Sequence, residues 1–334
     1  MPRDFSSTIG RHDVTAPEIF FNRRRFLAGL GAAAALPRLA LGQPDEAAKL
    51  RAPLSRPGVF PAERNGAYEL PEGIAPAMTP REVAASHNNF YELLPGRGGP
   101  AWQYAGDFEV DPWRVEITGA CDKPQTLDLD ALFAFPHEER VYHFRCVERW
   151  AMNVPWSGFP LARLLERVEP QASARYVRFI SANRPEQMPG IVEADHYPWP
   201  YFEGLRMDEA MNELTLVVTG VYGEPLLKQH GAPVRIIVPW KYGYKSPKSI
   251  VRIELVDEEP DTFWQIQPHE YGFLSNVNPN IPHPRWSQKQ SYWLDDQSKF
   301  DTPIFNGYER YVSSLYPDEP RKLQRPLRPG QIAR

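Results

Sequence analysis

The chain has 334 residues, 42% of them hydrophobic and 24% charged, and its 9 Trp and 15 Tyr exclude a disordered polypeptide. A formal net charge of −4 gives no basic surplus for nucleic acid, and 2 cysteines, Cys121 and Cys146, make neither a four-cysteine iron–sulfur site nor a CxxC redox motif. The 36 prolines are about twice average usage, so turns should be many and long helices few, in one large domain or two small ones.

The N-terminus reads as an export signal. Asn22 to Leu27 carries three arginines followed by Phe-Leu, and an apolar run then extends from Phe26 to Leu36. That run is shorter than the roughly 20 residues a bilayer span needs. With basic residues before it and small residues after it, it is expected to be a signal-peptide core, with Ala40-Leu41-Gly42 as a cleavage site. The arginine pair is similar to a twin-arginine signal, although Asn22 stands where Ser or Thr is commoner. Residues 1–42 are therefore expected to direct the chain through the twin-arginine translocase to the periplasm. That route carries folded proteins, often with a cofactor already inserted. An ordinary secretion signal or an anchor helix is the plainer alternative.

Residues 43–80 are rich in Pro, Ala and charge and are expected to be an extended arm, with the body of the protein at 81–334. Ser86 to Leu94 places two asparagines before Phe90, Tyr91 and Glu92; Asn88 or Asn89 is either a helix N-cap or part of a grip on a heteroaromatic edge. Pro95 to Gly106 is Gly-rich without a phosphate-loop pattern. Pro112 to Gly119 alternates apolar and polar residues as a half-buried strand does. Lys123 to Leu132 should be a turn and then a short helix starting near Thr126 or Asp128.

Arg140 to Trp150 reads as a strand entering a loop that delivers Cys146 among Arg145, Glu148 and Arg149. Neighbouring cations lower a thiol's pKa, and the thiolate attacks electrophiles or binds soft metals. A buried cysteine, or a disulfide with Cys121, is the other reading. Val154 to Pro160 is expected to be a rigid loop, and Leu161, Leu164, Leu165 and Val168 mark a helix stopped by Pro170. Arg175 to Ser181, Leu214 to Tyr222, Pro233 to Pro239 and Ile250 to Val256 read as strands, with a brief helix at Met207 to Met211. There is no regular βαβ alternation and no GxGxxG, so the expected class is α+β with mixed or antiparallel sheets.

A second polar cluster runs from Lys228 through His230 to Arg235 and on through Lys241, Lys245, Ser246, Pro247 and Lys248. Several cations beside a glycine suit a single phosphate; a solvated basic loop is the alternative. The tail, with Asn276, Asn278, Asn280, His283, Arg285 and Trp286, has no chemistry legible from pattern and is expected to pack back on the body.

Together these pieces resemble the molybdopterin-containing catalytic subunits of periplasmic protein-methionine-sulfoxide reductases, within the sulfite-oxidase fold group. The motifs that carry the resemblance beyond the leader are Asn88–Glu92, Arg145–Glu148, Trp156–Leu161, Pro185–Gly190, Gly231–Arg235, Pro239–Lys245 and His283–Ser287. They span the chain nearly to its C-terminus. The resemblance implies that Cys146 is the single protein ligand of a molybdenum–molybdopterin group without an added nucleotide. The matching cofactor positions are Asn88, Tyr91, Glu92, Ser181, His230, Arg235 and Ser246-Pro247-Lys248, with Lys245 a further phosphate candidate on charge. Ser181 stands where Thr also occurs in the family, and His230 where Asn occurs. The implied reaction reduces methionine sulfoxide in oxidised periplasmic proteins. Electrons would come from a haem-containing inner-membrane subunit fed by quinol. Glu148 is the candidate proton handler on spacing. A sulfite oxidase, or a reductase of small S- and N-oxides, is the alternative on the same fold. A metal-free thiol reductase using both cysteines and a periplasmic anion-binding module are the alternatives of other classes.

Overall fold

Alternation of side chains builds one sheet and continuous burial builds another. The computed structural model describes residues 46–75, 77–95, 100–327 and 331, so the expected signal peptide lies outside the described residues. The first sheet contains β1 (Arg114–Gly119), β2 (Gln125–Asp128), β5 (Tyr176–Ser181), β6 (Phe202–Arg206) and β10 (Ile250–Val256), in the order β2-β1-β10-β5-β6. β1 and β10 run parallel and the other pairs antiparallel. Val177 and Phe179 on β5 are fully buried, whereas Tyr176, Arg178 and Ile180 between them are not, as a sheet covered on one face requires. Its wetter face carries the pairs Arg252–Glu116 at 2.7 Å and Arg178–Glu254 at 3.2 Å.

The second sheet comprises β3 (Glu138–Arg145), β4 (Trp150–Pro160), β7 (Leu216–Val221), β8 (Glu224–Pro225), β9 (Arg235–Ile237), β11 (Gln290–Trp293) and β12 (Lys299–Asp301). Its spine is β12-β11-β4-β7-β8, with β3 beside β4 and β9 beside β7. Both β4 and β7 are buried almost end to end. Between the strands lie α1 (Arg81–Ser86), α2 (Leu129–Phe133), α3 (Leu161–Val168), α4 (Pro189–Glu193), α5 (Met207–Ala210) and α6 (Glu309–Val312). The expected α+β class with mixed sheets and short helices is what the chain adopts. No helix among the described residues is long and apolar enough to cross a membrane.

One local expectation is corrected and another is narrowed. Val154 to Pro160 is not a loop but the second half of β4, paired along Glu138–Tyr142 of β3 and Leu216–Val221 of β7. Its prolines are compatible with a strand because β4 is irregular there, with a register shift between Ser157 and Gly158. Gly158 is required by that approach: a Cβ would lie 2.0 Å from the Val217 carbonyl oxygen. The short helix expected to begin near Thr126 or Asp128 follows the Asp128 alternative: it starts at Leu129, with Asp128 as its cap accepting from Ala131 N at 2.9 Å. Thr126 and Leu127 pair with β1 instead, so sheet pairing overrides the local helix signal.

The helix expected around Leu161 is α3; its four leucine and valine positions are fully buried, and it ends at Glu169, whose φ is 51°. The described arm residues run beside the body: Glu139 N donates to Glu63 O at 2.7 Å and Asn65 N to Glu139 O at 2.8 Å, which extends the pairing beyond β3. At the other end, Tyr292 N donates to Arg149 O at 3.0 Å, while the hydroxyls of Tyr308 and Tyr316 accept from His143 N and Trp240 Nε1 at 2.9 Å each, so the tail does pack back on the body.

Candidate active site around Cys146

β3 ends in a tight turn that presents Cys146. Cys146 N donates to Trp150 O at 3.0 Å and Arg149 N to Cys146 O at 2.9 Å, with Arg149 held at a φ of 80°. The sulfur is not bonded to Cys121; both cysteines are free. Asn89 lies over it, with Nδ2 at 3.6 Å from Sγ and at 3.1 Å from Glu148 Oε2. Trp150 Nε1 donates to the same Glu148 oxygen at 3.0 Å. Glu148, picked out on spacing, is thus held two residues from the sulfur by two donors.

The expected cationic activation of Cys146 is corrected. Burial pushes its thiol far up and Glu148 adds to the rise, while Arg145 and Lys248 only oppose it. The reason is geometric. Arg145 is fully buried and turned into the fold, donating to Ser291 Oγ at 2.7 Å, Gln288 Oε1 at 2.6 Å and the Cys146 carbonyl at 3.2 Å. The Arg149 guanidinium lies over the Tyr292 ring. A thiolate here needs a cation at the sulfur itself, and a bound metal would supply one.

The segment after α1 forms the next wall. Asn88 is not an N-cap: its Nδ2 donates to Ala84 O at 3.2 Å and Ala85 O at 3.0 Å and so closes the C-terminal end of α1, because the helix precedes it. Tyr91 is close enough to Glu148 and Cys146 that, after burial, these two push its hydroxyl upward. Glu92 is buried and pushed up to about 7 by burial, with Lys248 opposing. Lys248 donates from Nζ to Asn89 O at 2.9 Å, and burial beside Arg235 lowers it to about 7. Gly231, at φ 96°, brings its backbone against Lys248; a Cβ there would sit 2.6 Å from the Lys248 Cβ.

Arg235 and His230 complete the wall. Arg235 is buried, donates only to the carbonyls of His230 at 2.8 Å and Ser246 at 3.0 Å, with a longer contact to Ile236 O, and its guanidinium lies 5.1 Å from the Trp156 ring centroid. Among the described residues no carboxylate pairs with it, and burial lowers it to about 9. His230 Nε2 lies 3.2 Å from Ala84 O, its Nδ1 has no partner among the described residues, and burial lowers it to about 3, so it is neutral. Ser181 Oγ, Trp156 Nε1 and Ser157 Oγ are also buried without a partner among the described residues. Buried polar atoms are normally matched, so these mark where a bound group is to be met. Ser246 and Pro247 serve this wall through the backbone: Ser246 Oγ accepts from Val238 N at 3.0 Å and Pro247 O from Ile236 N at 3.0 Å.

Lys245 does not join them. Its ammonium faces Glu203 at 2.7 Å in a buried ion pair and lies over Phe273, so its charge is already matched. Asn89 and Trp156 were not singled out as site residues from sequence. The Asn-Asn pair signalled the segment, but nothing in a linear reading tells which amide meets the sulfur. Trp156 was hidden by the loop expected there.

The donor set fits a molybdenum–pterin group. Among the described residues no cluster of three or more His, Cys, Asp or Glu side chains could hold a metal alone, so a metal at Cys146 would bring its other ligands with it. Unmatched donors and acceptors with the uncompensated Arg235 suit a heteroaromatic ligand ending in a phosphate.

Comparison with known proteins agrees. Residues 103–264 match the oxidoreductase molybdopterin binding domain family. The chain is 47% identical over 323 residues to the protein-methionine-sulfoxide reductase catalytic subunit MsrP of Burkholderia mallei, covering 92% of this chain and 93% of that one. It is 48% identical over 317 residues to the MsrP of Ralstonia nicotianae, covering 91% and 92%. Among solved structures it is similar to the sulfane dehydrogenase SoxCD from Paracoccus pantotrophus, at a TM-score of 0.42 and 16% identity over 81% of this chain and 62% of that one.

Proposed function

The chain belongs to the family of protein-methionine-sulfoxide reductase catalytic subunits, molybdopterin oxidoreductases, and from that premise we propose how its own residues serve the reaction and where it works. Cys146 is the protein ligand of the metal. Arg235, His230, Ser181 and Lys248 hold a pterin that carries one terminal phosphate and no added nucleotide, with Tyr91, Glu92, Asn88 and the Ser246-Pro247 backbone shaping its pocket. The group, when bound, supplies two-electron removal of an oxygen atom from a sulfoxide. The protein supplies orientation and protons. Asn89 fixes the sulfur and Glu148 together, and Glu148, with Oε2 occupied by Asn89 and Trp150, keeps Oε1 to exchange a proton near the departing oxygen.

The leader motif supports export by the twin-arginine route, and hence repair of oxidised proteins in the periplasm. The relatives are named catalytic subunits, which supports a second subunit; a haem-containing membrane protein drawing on quinol suits the electron supply, since 2 cysteines leave the chain without a cluster of its own.

The observation that carries the residue assignment is the buried Cys146 sulfur under Asn89, beside a wall of unmatched polar atoms. The test measures molybdenum content and sulfoxide reduction in wild type, Cys146→Ser and Glu148→Gln. Near-stoichiometric metal in wild type, with metal-dependent activity lost in Cys146→Ser, is expected. Glu148→Gln should keep its metal but lose turnover with an altered pH profile. A folded, active wild type without molybdenum would overturn the ligand assignment, and an unaltered pH profile in Glu148→Gln the proton role.

A further inference from the structure

The segment from Gln267 to Trp286 has no role in the site described above, yet together with Trp264 and Gln288 it closes a ring around it. Tyr91, beside Glu148, packs edge-on against Trp264 with centroids 5.4 Å apart, and Trp264 meets Tyr271 at 5.3 Å. Tyr271 meets His283 at 5.6 Å, and His283 stacks on Trp286 at 4.9 Å. Gln288 Nε2 then donates to both Trp286 O and Val147 O, at 3.0 Å each, which returns the chain to the residue after Cys146. Cys146 and Glu148 both act on the Tyr271 hydroxyl, as they do on Tyr91. The inner members are buried, Trp264 at 9% and Tyr271 at 6% exposure, and Ile266, 47% exposed, carries the apolar surface outward. The cation on this rim, Arg285, is matched by Glu270 at 2.6 Å.

An aromatic, charge-matched rim suits a neutral, polarisable group. Sulfur contacts aromatic rings favourably, often at the edge. An anion such as sulfite would gain little from an arginine already paired. We propose that Trp264, Tyr271, His283 and Trp286 form the specificity wall that receives the methyl-sulfinyl end of a methionine-sulfoxide side chain and admits it, from a polypeptide outside, toward Cys146. This rests on the methionine-sulfoxide reductase reading above and names the surface that recognises the substrate.

The test compares molybdenum-loaded wild type with Trp286→Ala, Trp286→Phe and Tyr271→Leu. Three readouts are taken: molybdenum content, steady-state kinetics on a methionine-sulfoxide peptide and on dimethyl sulfoxide, and peptide affinity by tryptophan-fluorescence titration of the oxidised enzyme. Trp286→Ala and Tyr271→Leu should keep their metal and raise KM and Kd for the peptide about tenfold, as loss of one sulfur–aromatic contact at the strong end of its range would. Their kcat should stay within about twofold, and dimethyl sulfoxide, too small to span the wall, should be affected less. Trp286→Phe should restore most of the affinity. Unchanged peptide KM and Kd in both truncations, with wild type active on the peptide, would overturn the wall alone. A fall of metal content that tracks the loss would overturn it too, since the residues would then act on the cofactor. A wild type that reduces dimethyl sulfoxide but not the peptide would overturn the substrate reading and the wall together.

Discussion

Lys241 and Arg235 are two buried cations six residues apart in sequence, and their surroundings are opposite. Lys241 donates to Glu209 Oε1 at 2.7 Å, Leu274 O at 2.6 Å and Asn276 Oδ1 at 3.0 Å, and Tyr316 donates to the same Glu209 oxygen at 2.5 Å. Trp240 Nε1 closes that network on the Tyr316 hydroxyl at 2.9 Å. Arg235 has only carbonyls, with His230 Nδ1 and Ser181 Oγ unmatched in the same wall. A closed buried network holds the fold and needs nothing further; an open one costs stability until something binds. Charge alone does not separate the two. Lys241, Lys245 and Lys248 look equivalent in the basic stretch, yet the first two make buried ion pairs with glutamates at 2.7 Å, whereas Lys248 makes no ion pair among the described residues and donates to Asn89 O.

The contrast breaks if the two cations respond alike to removal. Lys241→Met strands Glu209 in the core and should lower the unfolding free energy by about 3–5 kcal/mol. Denaturant melts would show it, and a loss below about 1 kcal/mol would mean that the network is not a structural one. Arg235→Met is expected to go the other way. In the cofactor-free protein it removes an uncompensated charge, so stability should hold or rise by about 1 kcal/mol. Molybdenum content after expression with cofactor synthesis should nevertheless collapse. If Arg235→Met melts as early as Lys241→Met and keeps its metal, the open wall is not a binding site.

The same contrast explains what a linear reading could reach. Periodicity found α3 and β10 because each buries one face, and the turn at Cys146 was legible because Arg145, Glu148 and Arg149 interrupt an apolar strand. The second half of β4 was missed because proline argues against a strand until a bulge and Gly158 make room for it. At the site, residue types were legible and orientations were not. Arg145 reads in sequence as a cation neighbouring the sulfur, yet its guanidinium donates to Gln288 and Ser291, 143 and 146 residues downstream. Asn88 was expected to serve the pocket or a helix start, yet Asn89 meets the sulfur while Asn88 closes α1. Such partners lie far apart in sequence, so spacing carries no signal for them.

The last expected effect is a slope against pH rather than a single loss, and it follows from His230, which belongs to the open wall. Its folded-state pKa lies at about 3, below the usual value of 6.5, because burial disfavours the imidazolium. Between those limits the unfolded chain binds more protons than the folded one. The stability that His230 contributes is therefore fully present above pH 6.5 and is lost as pH falls toward 3, by up to about 1.4 kcal/mol per pH unit. His143, lowered to about 4 and fully buried on Asn153, adds a term of the same sign. His230→Asn keeps a donor but cannot titrate, so denaturant melts of the cofactor-free variant between pH 4 and 7, on the order of that window, should fall less steeply than wild type. The difference between the two curves belongs to His230, because His143 remains in both. Parallel curves would mean that His230 is solvated rather than held neutral, and the wall would then lose one of its unmatched polar atoms.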